Sequence, residues 1–246
     1  MTTLKDNAVL GYTGFVGSNI LRLVDCECDL YNSKNFEQLK NKSYDKIYCA
    51  CLPGKKWLAN KEPYQDFKTL TSIIEVLKTV KCNEFYLVSS QDCNSNQNSD
   101  EQFTSLPPTI YGVHRLYFEK FVEENFNAYI MRIGCLFGTG LKKNIIFDLL
   151  NDRVETIDNT TYQLYFIDNI IKDFNYMYNN NIHVMNNFSE PVYVDEIARC
   201  LNKHVNVVNT KMTYNNKGLH ILDKNSQLKY LKDFGIAWNK LMVVKK

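Results

Sequence analysis

A chain of 246 residues, 45% hydrophobic and 23% charged, can bury a full core as one domain or as one domain with a small appended lobe. Its formal net charge of +2, with basic residues scattered apart from short pairs such as Lys55–Lys56 and Lys142–Lys143, disfavours a nucleic-acid or membrane surface. No run approaches the ~18 apolar residues that span a bilayer, and the first residues lack a cationic start with an apolar core, so a cytoplasmic protein is expected. In such a compartment the eight cysteines are expected to be free thiols. The pairs Cys26/Cys28 and Cys49/Cys51 have an interval unlike a zinc knuckle and no histidine nearby, so no metal is expected.

Strand-like and helix-like segments alternate along the first half. The short apolar run at 8–12 breaks into glycines, and Val16, Ile20, Leu21 and Val24 then recur at helical spacing. Residues 28–32 and 46–52 are β-prone, and Phe67, Leu70, Ile74 and Leu77 mark one face of a helix over 64–80. Residues 84–90 read as a buried strand, 111–124 as a helix and 128–138 as the next strand. This alternation predicts right-handed crossovers and an α/β fold, a Rossmann-type doubly wound parallel sheet. Further on, residues 162–179 begin extended and turn helical after Asp168, which is expected to cap that helix. In the segment 191–205, Val194, Ile197, Ala198 and Leu201 share a helical face. The division expected is 1–160 for a dinucleotide-binding part and 161–246 for the rest of the sheet plus a small C-terminal lobe, together one unit. The segment 91–108 is long for a connection in a compact domain, which marks it as functional or mobile.

Gly11, Gly14 and Gly17 recur every third residue where the first strand should pass into the first helix. A pyrophosphate site needs that chemistry: a tight turn, an unobstructed backbone facing the phosphates, and close helix–strand contact at a helix N-terminus. An acidic residue at the end of the second strand would hold the adenosine ribose. Here Asp29 comes too early, and Asn32, Ser33 and Lys34 stand at the strand end, which leans towards NADP over NAD.

Several stretches, in order, resemble the extended short-chain dehydrogenase/reductases, the NAD-dependent epimerase/dehydratase family that acts mostly on nucleotide-linked sugars. They are the glycine loop with Phe15, the strand ending in Ser89 and Ser90, and Tyr111-Gly112-x-x-Arg115 followed by Glu119. Arg132 with Gly138, the segment Tyr165–Asn169 and the helix from Val192 to Ala198 complete the set. The resemblance implies a reduced substrate-binding lobe, a small-molecule nucleotide sugar as substrate and pairing of two copies through a helix bundle that includes 64–80 and 111–124. It implies Tyr111 as general acid/base, Ser90 as hydrogen-bond partner of the same substrate oxygen, with Ser89 the alternative, and Arg115 in the place of a lysine that contacts the nicotinamide ribose. Thr13, Phe15, Val16 and Leu52 would join the glycines, Tyr111 and Arg115 on the cofactor.

The tyrosine needs help to act as a base near neutrality, because its ordinary pKa is ~10. A cation ~4 Å away at an effective dielectric near 20 is worth about 4 kcal/mol, or roughly three pKa units, before desolvation opposes it. Arginine supplies that charge, although it does not give up a proton as lysine does. The departures are Arg115 itself, Cys135 where the family has an asparagine, and Gln91-Asp92-Cys93 where its dehydratases carry Asp-Glu. They leave open a second reading: a dinucleotide-binding regulatory or scaffold protein of the same fold without turnover. Arg115 with Glu119 also reads as an exposed ion pair, Cys93 as a structural thiol, and Lys55, Lys56 and Trp57 as a solvated loop.

Overall fold

The computed structural model of the chain describes residues 6–94, 101, 106–218 and 220–244; much of the long 91–108 segment lies outside the described residues. From β1 (Asn7–Leu10) the chain passes through the glycine loop into α1 (Phe15–Leu23). Then come β2 (Cys28–Tyr31), β3 (Ser43–Cys49), α2 (Lys56–Lys61), α3 (Pro63–Leu77), β4 (Lys81–Ser90) and α4 (Ile110–Asn125). They are followed by β5 (Ala128–Ile133), β6 (Cys135–Phe137), α5 (Ile145–Leu150), β7 (Thr156–Phe166) and α6 (Ile170–Asn179). The chain continues as β8 (Val184–Ser189), β9 (Pro191–Tyr193), α7 (Val194–Cys200), β10 (Asn206–Lys211), β11 (His220–Leu222) and α8 (Lys224–Val244).

Seven strands form one parallel sheet in the order β11-β8-β5-β4-β3-β1-β2, as the alternation of strands and helices predicts. The strand order reverses between β1 and β3, and in open α/β sheets ligands bind outside the carboxyl ends of the strands at such a switch point. The sheet is buried on both faces, which is why its strands read as unbroken apolar runs. Side chains alternate. Ala8, Leu10, Ile47, Phe85, Leu87 and Ile130 pack under α3 and α4, while Val9, Tyr48, Tyr86, Tyr129 and Met131 pack under α1 and α6. On that second face Tyr48, Tyr86 and Tyr129 stack across β3, β4 and β5, with ring centroids 5.1 and 5.4 Å apart. Each fully buried Leu, Ile or Phe contributes roughly 1.5–3 kcal/mol.

The run 128–138, expected as one strand, divides at Gly134 into β5 and β6, which join different sheets. A Cβ at Gly134 would stand 2.1 Å from the Gln163 carbonyl oxygen, so the chain crosses β7 where no side chain fits. β6 then pairs with β7 in a four-stranded sheet with β10 and β9. This sheet, α5, α7 and α8 enclose a third apolar core that includes Val194, Ile197, Ala198 and Leu201, the predicted helical face. On α3, Leu70, Ile74 and Leu77 are buried, but Phe67 is 38% exposed and packs on His114 and Tyr117 of α4. Asp168 does not cap α6. It forms an ion pair with Arg22 of α1, because a short 3₁₀ turn at Ile167–Asn169 leads into that helix. None of the described helices is long and apolar enough to cross a membrane.

Candidate active site

The loop after β1 uses its glycines in three different ways. Gly11 has φ +85°, and a Cβ there would stand 2.4 Å from the Ala50 carbonyl oxygen. At Gly17 a Cβ would meet the Gly11 oxygen at 2.2 Å, so this glycine lets α1 approach the strand. Gly14 meets nothing closer than 3.3 Å, and as the N-cap of α1 it provides no side-chain cap, leaving the first amides of that helix open to a ligand. β2 ends at Tyr31. Asn32, next in the chain, donates from Nδ2 to the Tyr12 hydroxyl at 3.0 Å, tying the strand end to the glycine loop, while Ser33 and Lys34 are exposed. Asp29 accepts a bond from the Tyr44 hydroxyl at 2.8 Å, so it is spent within the fold.

A cleft of about 1130 Å³ opens beside this loop, and Phe15, Val16, Leu52, Ser90, Tyr111 and Arg115 all line it. Gly11, Thr13, Gly14, Gly17 and Asn32 to Lys34 lie outside that lining. Tyr111 and Arg115 are carried on the first turns of α4. This helix starts where Thr109 Oγ1 accepts from the Gly112 amide at 3.2 Å, directly after two prolines. The Tyr111 amide donates to Asn60 Oδ1 of α2 at 2.9 Å.

The helical spacing brings the two side chains together: the guanidinium of Arg115 lies 4.6 Å from the Tyr111 ring centroid. Arg115 is not in an exposed pair with Glu119. It is 2% exposed, and its Nη2 donates to Asp66 Oδ1 at 2.6 Å and to the Pro53 carbonyl at 3.3 Å. Its Nε and Nη1 have no hydrogen-bond partner. A buried guanidinium with two spare donors on a cleft wall is suited to oxygen acceptors of a ligand. Glu119 is equally buried and belongs to another cluster. It takes Arg132 Nη2 at 2.7 Å, Arg132 Nε at 3.1 Å and the Ser89 hydroxyl at 2.5 Å. Ser89 lines the cleft as Ser90 does, but its hydroxyl is committed to Glu119, whereas Ser90 caps the turn after β4, accepting from the Asp92 amide at 3.2 Å and donating to Asp92 Oδ2 at 3.4 Å.

Arg115 does not by itself bring the Tyr111 phenol below its ordinary value. Burial pushes Tyr111 up and the charge of Asp92 adds to that, while Arg115 pulls it down without prevailing. The guanidinium lies against the ring, and its charge is shared with Asp66.

Three polar groups that the chain pattern had not singled out as a set meet beside Ser90. Lys56 Nζ donates to Asp92 Oδ1 at 2.6 Å and to the Tyr214 hydroxyl at 3.1 Å, and Tyr214 also reaches Asp92 at 3.3 Å. Burial works against the charge on Lys56, but Asp92 and Tyr214 outweigh it and push the amine up to about 12. Lys55, Lys56 and Trp57 all line the cleft; Lys55 and Trp57 are exposed, as a solvated loop would be, while Lys56 is half-buried. Cys93 is fully buried, and burial raises its thiol well above the usual range, which disqualifies it as an acid or base. Cys135 lines the cleft with its thiol pushed up by burial to about 12. His114 turns away from the cleft to Asp66 Oδ2 at 2.8 Å. Among the described residues no group of His, Cys, Asp or Glu is placed to hold a metal ion.

No protein-family model matches the chain, and no curated protein matches it in sequence. Solved structures do match along nearly its whole length. UDP-N-acetylglucosamine 4-epimerase from Methanobrevibacter ruminantium, in complex with UDP-N-acetylmuramic acid, superposes with a TM-score of 0.68 at 15% identity, covering 99% of each chain. dTDP-4-dehydrorhamnose reductase from Bacillus anthracis, in complex with NADP, gives 0.69 at 17% identity over 96% of this chain and 99% of that one. UDP-glucuronic acid 4-epimerase from Bacillus cereus, in complex with UDP-glucuronic acid and NAD, gives 0.66 at 15% identity over 97% and 99%. The chain thus has the Rossmann-type fold of these nucleotide-sugar epimerases and reductases.

Proposed function

We propose that the protein is an NAD(P)-dependent epimerase or reductase acting on a nucleotide-activated sugar. The observation that carries this reading is Arg115, a buried residue that lines the same cleft as Ser90, packs against the Tyr111 ring and has two guanidinium nitrogens, Nε and Nη1, without a hydrogen-bond partner. The glycine loop and the uncapped start of α1 would hold a dinucleotide diphosphate, and Arg115 Nε and Nη1 would take ribose hydroxyls. When bound, the dinucleotide supplies hydride chemistry at its nicotinamide ring. The chain's own part is the proton. Tyr111 exchanges it with the substrate oxygen, and Ser90, free of the Glu119 cluster that holds Ser89, hydrogen-bonds that oxygen. The neutral end of β2, with Asn32 and the exposed Lys34, supports the lean to NADP. The exposed Tyr64, Phe67 and Tyr117 on α3 and α4 support pairing of two copies through those helices.

Purified protein given nucleotide 4-keto sugars and NADPH or NADH should turn over, and Tyr111→Phe should lower the rate by about 10²–10⁴-fold. Full activity in that variant would remove Tyr111 from the mechanism. A dinucleotide-binding protein without turnover is the second reading, favoured by the sharing of the Arg115 charge with Asp66 and the raised Tyr111. Thermal shift separates the two. A dinucleotide at a hundred times its Kd stabilises the fold by about 2.7 kcal/mol, and no nucleotide sugar would add to it in the second case.

A further inference from the structure

Among the described residues Asp92 is the one carboxylate that lines the cleft, and its two oxygens are used differently. Oδ2 accepts from the Ser90 hydroxyl at 3.4 Å, while the Asp92 amide donates to Ser90 Oγ at 3.2 Å. Oδ1 takes two donors from distant parts of the chain, Lys56 Nζ of α2 at 2.6 Å and the Tyr214 hydroxyl at 3.3 Å. Lys56 Nζ also reaches the Tyr214 hydroxyl, at 3.1 Å, so the two donors brace each other. A carboxylate fixed through one oxygen has little freedom at the other, so the donors on Oδ1 keep Oδ2 on Ser90. Ser90 Oγ then has its proton on Asp92 and one lone pair left, which suits a hydroxyl that donates to it.

Tyr214 is delivered to this place by a strap. Residues 212–218 have no regular secondary structure, yet β7 grips them with two side chains that are wholly buried, Thr161 and Gln163. Thr161 Oγ1 accepts from the amides of Thr213 and Tyr214 at 2.8 and 2.9 Å and donates to the Tyr214 carbonyl at 2.9 Å. Gln163 Oε1 accepts from the Asn216 amide at 2.9 Å, and its Nε2 donates to the Asn216 carbonyl at 3.0 Å. Buried polar side chains are costly unless satisfied, and here satisfying them fixes the backbone on both sides of the Tyr214 ring.

We infer that Lys56 and Tyr214 are positioning residues of the reaction: by holding Asp92 they orient the Ser90 hydroxyl that meets the substrate oxygen. The strap after β10 is thereby part of the reacting end of the cleft. This rests on the functional reading above and adds two residues that act through a third.

The test uses the full chain with UDP- and dTDP-linked 4-keto sugars and NADPH. Tyr214→Phe keeps the ring and removes the hydroxyl, and it should lower kcat about three- to tenfold with KM within about twofold. Lys56→Met should lower kcat about ten- to a hundredfold, and Lys56→Arg, which keeps the ion pair, should recover most of that loss. In a Ser90→Ala background Tyr214→Phe should cost less than about twofold more, because its route to the substrate is gone. A crystal structure of the combined Lys56→Met, Tyr214→Phe variant should show Asp92 Oδ2 beyond hydrogen-bond reach of Ser90. The positioning role is overturned if Tyr214→Phe costs as much in the Ser90→Ala background as without it, or if the Ser90–Asp92 bond survives in the combined variant. A raised KM at unchanged kcat would also overturn it, by placing the pair on the substrate itself. If the unmodified protein turns over none of these probes, the functional reading fails and takes the positioning role with it, whereas turnover with an additive cycle removes the positioning role alone.

Discussion

Two buried arginines, each beside a carboxylate, are bonded very differently. Arg132 meets both oxygens of Glu119, and the Ser89 hydroxyl completes the cluster, joining β4, α4 and β5. Arg115 meets Asp66 through Nη2 alone, and its Nε and Nη1 have no hydrogen-bond partner. Taking an ion pair out of water costs several kcal/mol per ion, and only good geometry with further hydrogen bonds offsets it. The first pair meets that condition inside the protein. The second leaves two buried nitrogens without an acceptor, and on the proposed function a ligand would supply the acceptors, which would separate a binding group from a strut.

The comparison can be broken most severely at the strut. Glu119→Gln leaves Arg132 buried without its counter-charge and should cost about 3–5 kcal/mol, read as a shift in the denaturant midpoint. A loss under about 1 kcal/mol would show that the two pairs do not differ in kind.

At the second pair the expected effect is on binding. Arg115→Met should lower dinucleotide affinity by about ten- to a hundredfold, the loss of charge-assisted hydrogen bonds, and Arg115→Lys should recover part of it. Calorimetry at fixed salt measures both, and unchanged affinity in Arg115→Met would leave the spare donors without a purpose.

The glycine loop sharpens the same contrast between support and site. Gly17→Ala forces a Cβ to within 2.2 Å of the Gly11 oxygen and should cost about 1–3 kcal/mol of stability. Gly14→Ala should leave the thermal midpoint nearly unchanged and weaken dinucleotide binding instead. Equal stability losses in the two variants would erase the distinction.

The smallest expected effect is in pH dependence. On the proposed mechanism the phenolate of Tyr111 accepts the proton in the alcohol-oxidising direction, so the rate should climb with pH throughout the neutral and mildly alkaline range. Asp92→Asn removes a charge that raises this phenol, and the climb should shift to lower pH. Folding favours the protonated phenol. Its contribution to stability is therefore intact at neutral pH and is lost only as pH rises above the ordinary value near ~10 and through the raised folded value. A pH profile identical in Asp92→Asn would disconnect Asp92 from Tyr111.

Much of the frame was legible along the chain because its signals are local. Strands buried on both faces read as apolar runs, the helical faces of α3 and α7 repeat at fixed spacing, and an i,i+4 interval is enough to bring Tyr111 against Arg115. The division of 128–138 at Gly134 was not legible, since an apolar run does not reveal that β7 crosses beneath it. Neither was the partner of Arg115. Glu119 is the nearer carboxylate by helical spacing, and Asp66 arrives from another helix.

By itself, then, the sequence determined the parallel sheet, the glycine loop at its switch point, and a tyrosine and an arginine on one helical face. All of these follow from backbone conformation and periodicity within short stretches. Only the tertiary structure decided which carboxylate neutralises which arginine, that Ser89 bonds Glu119 while Ser90 bonds Asp92, and that Lys56, Asp92 and Tyr214 meet beside Ser90 while Lys143 reaches Gly54 across the mouth. Those outcomes depend on how separate segments compete for buried hydrogen bonds, and that competition is settled only when the segments pack together.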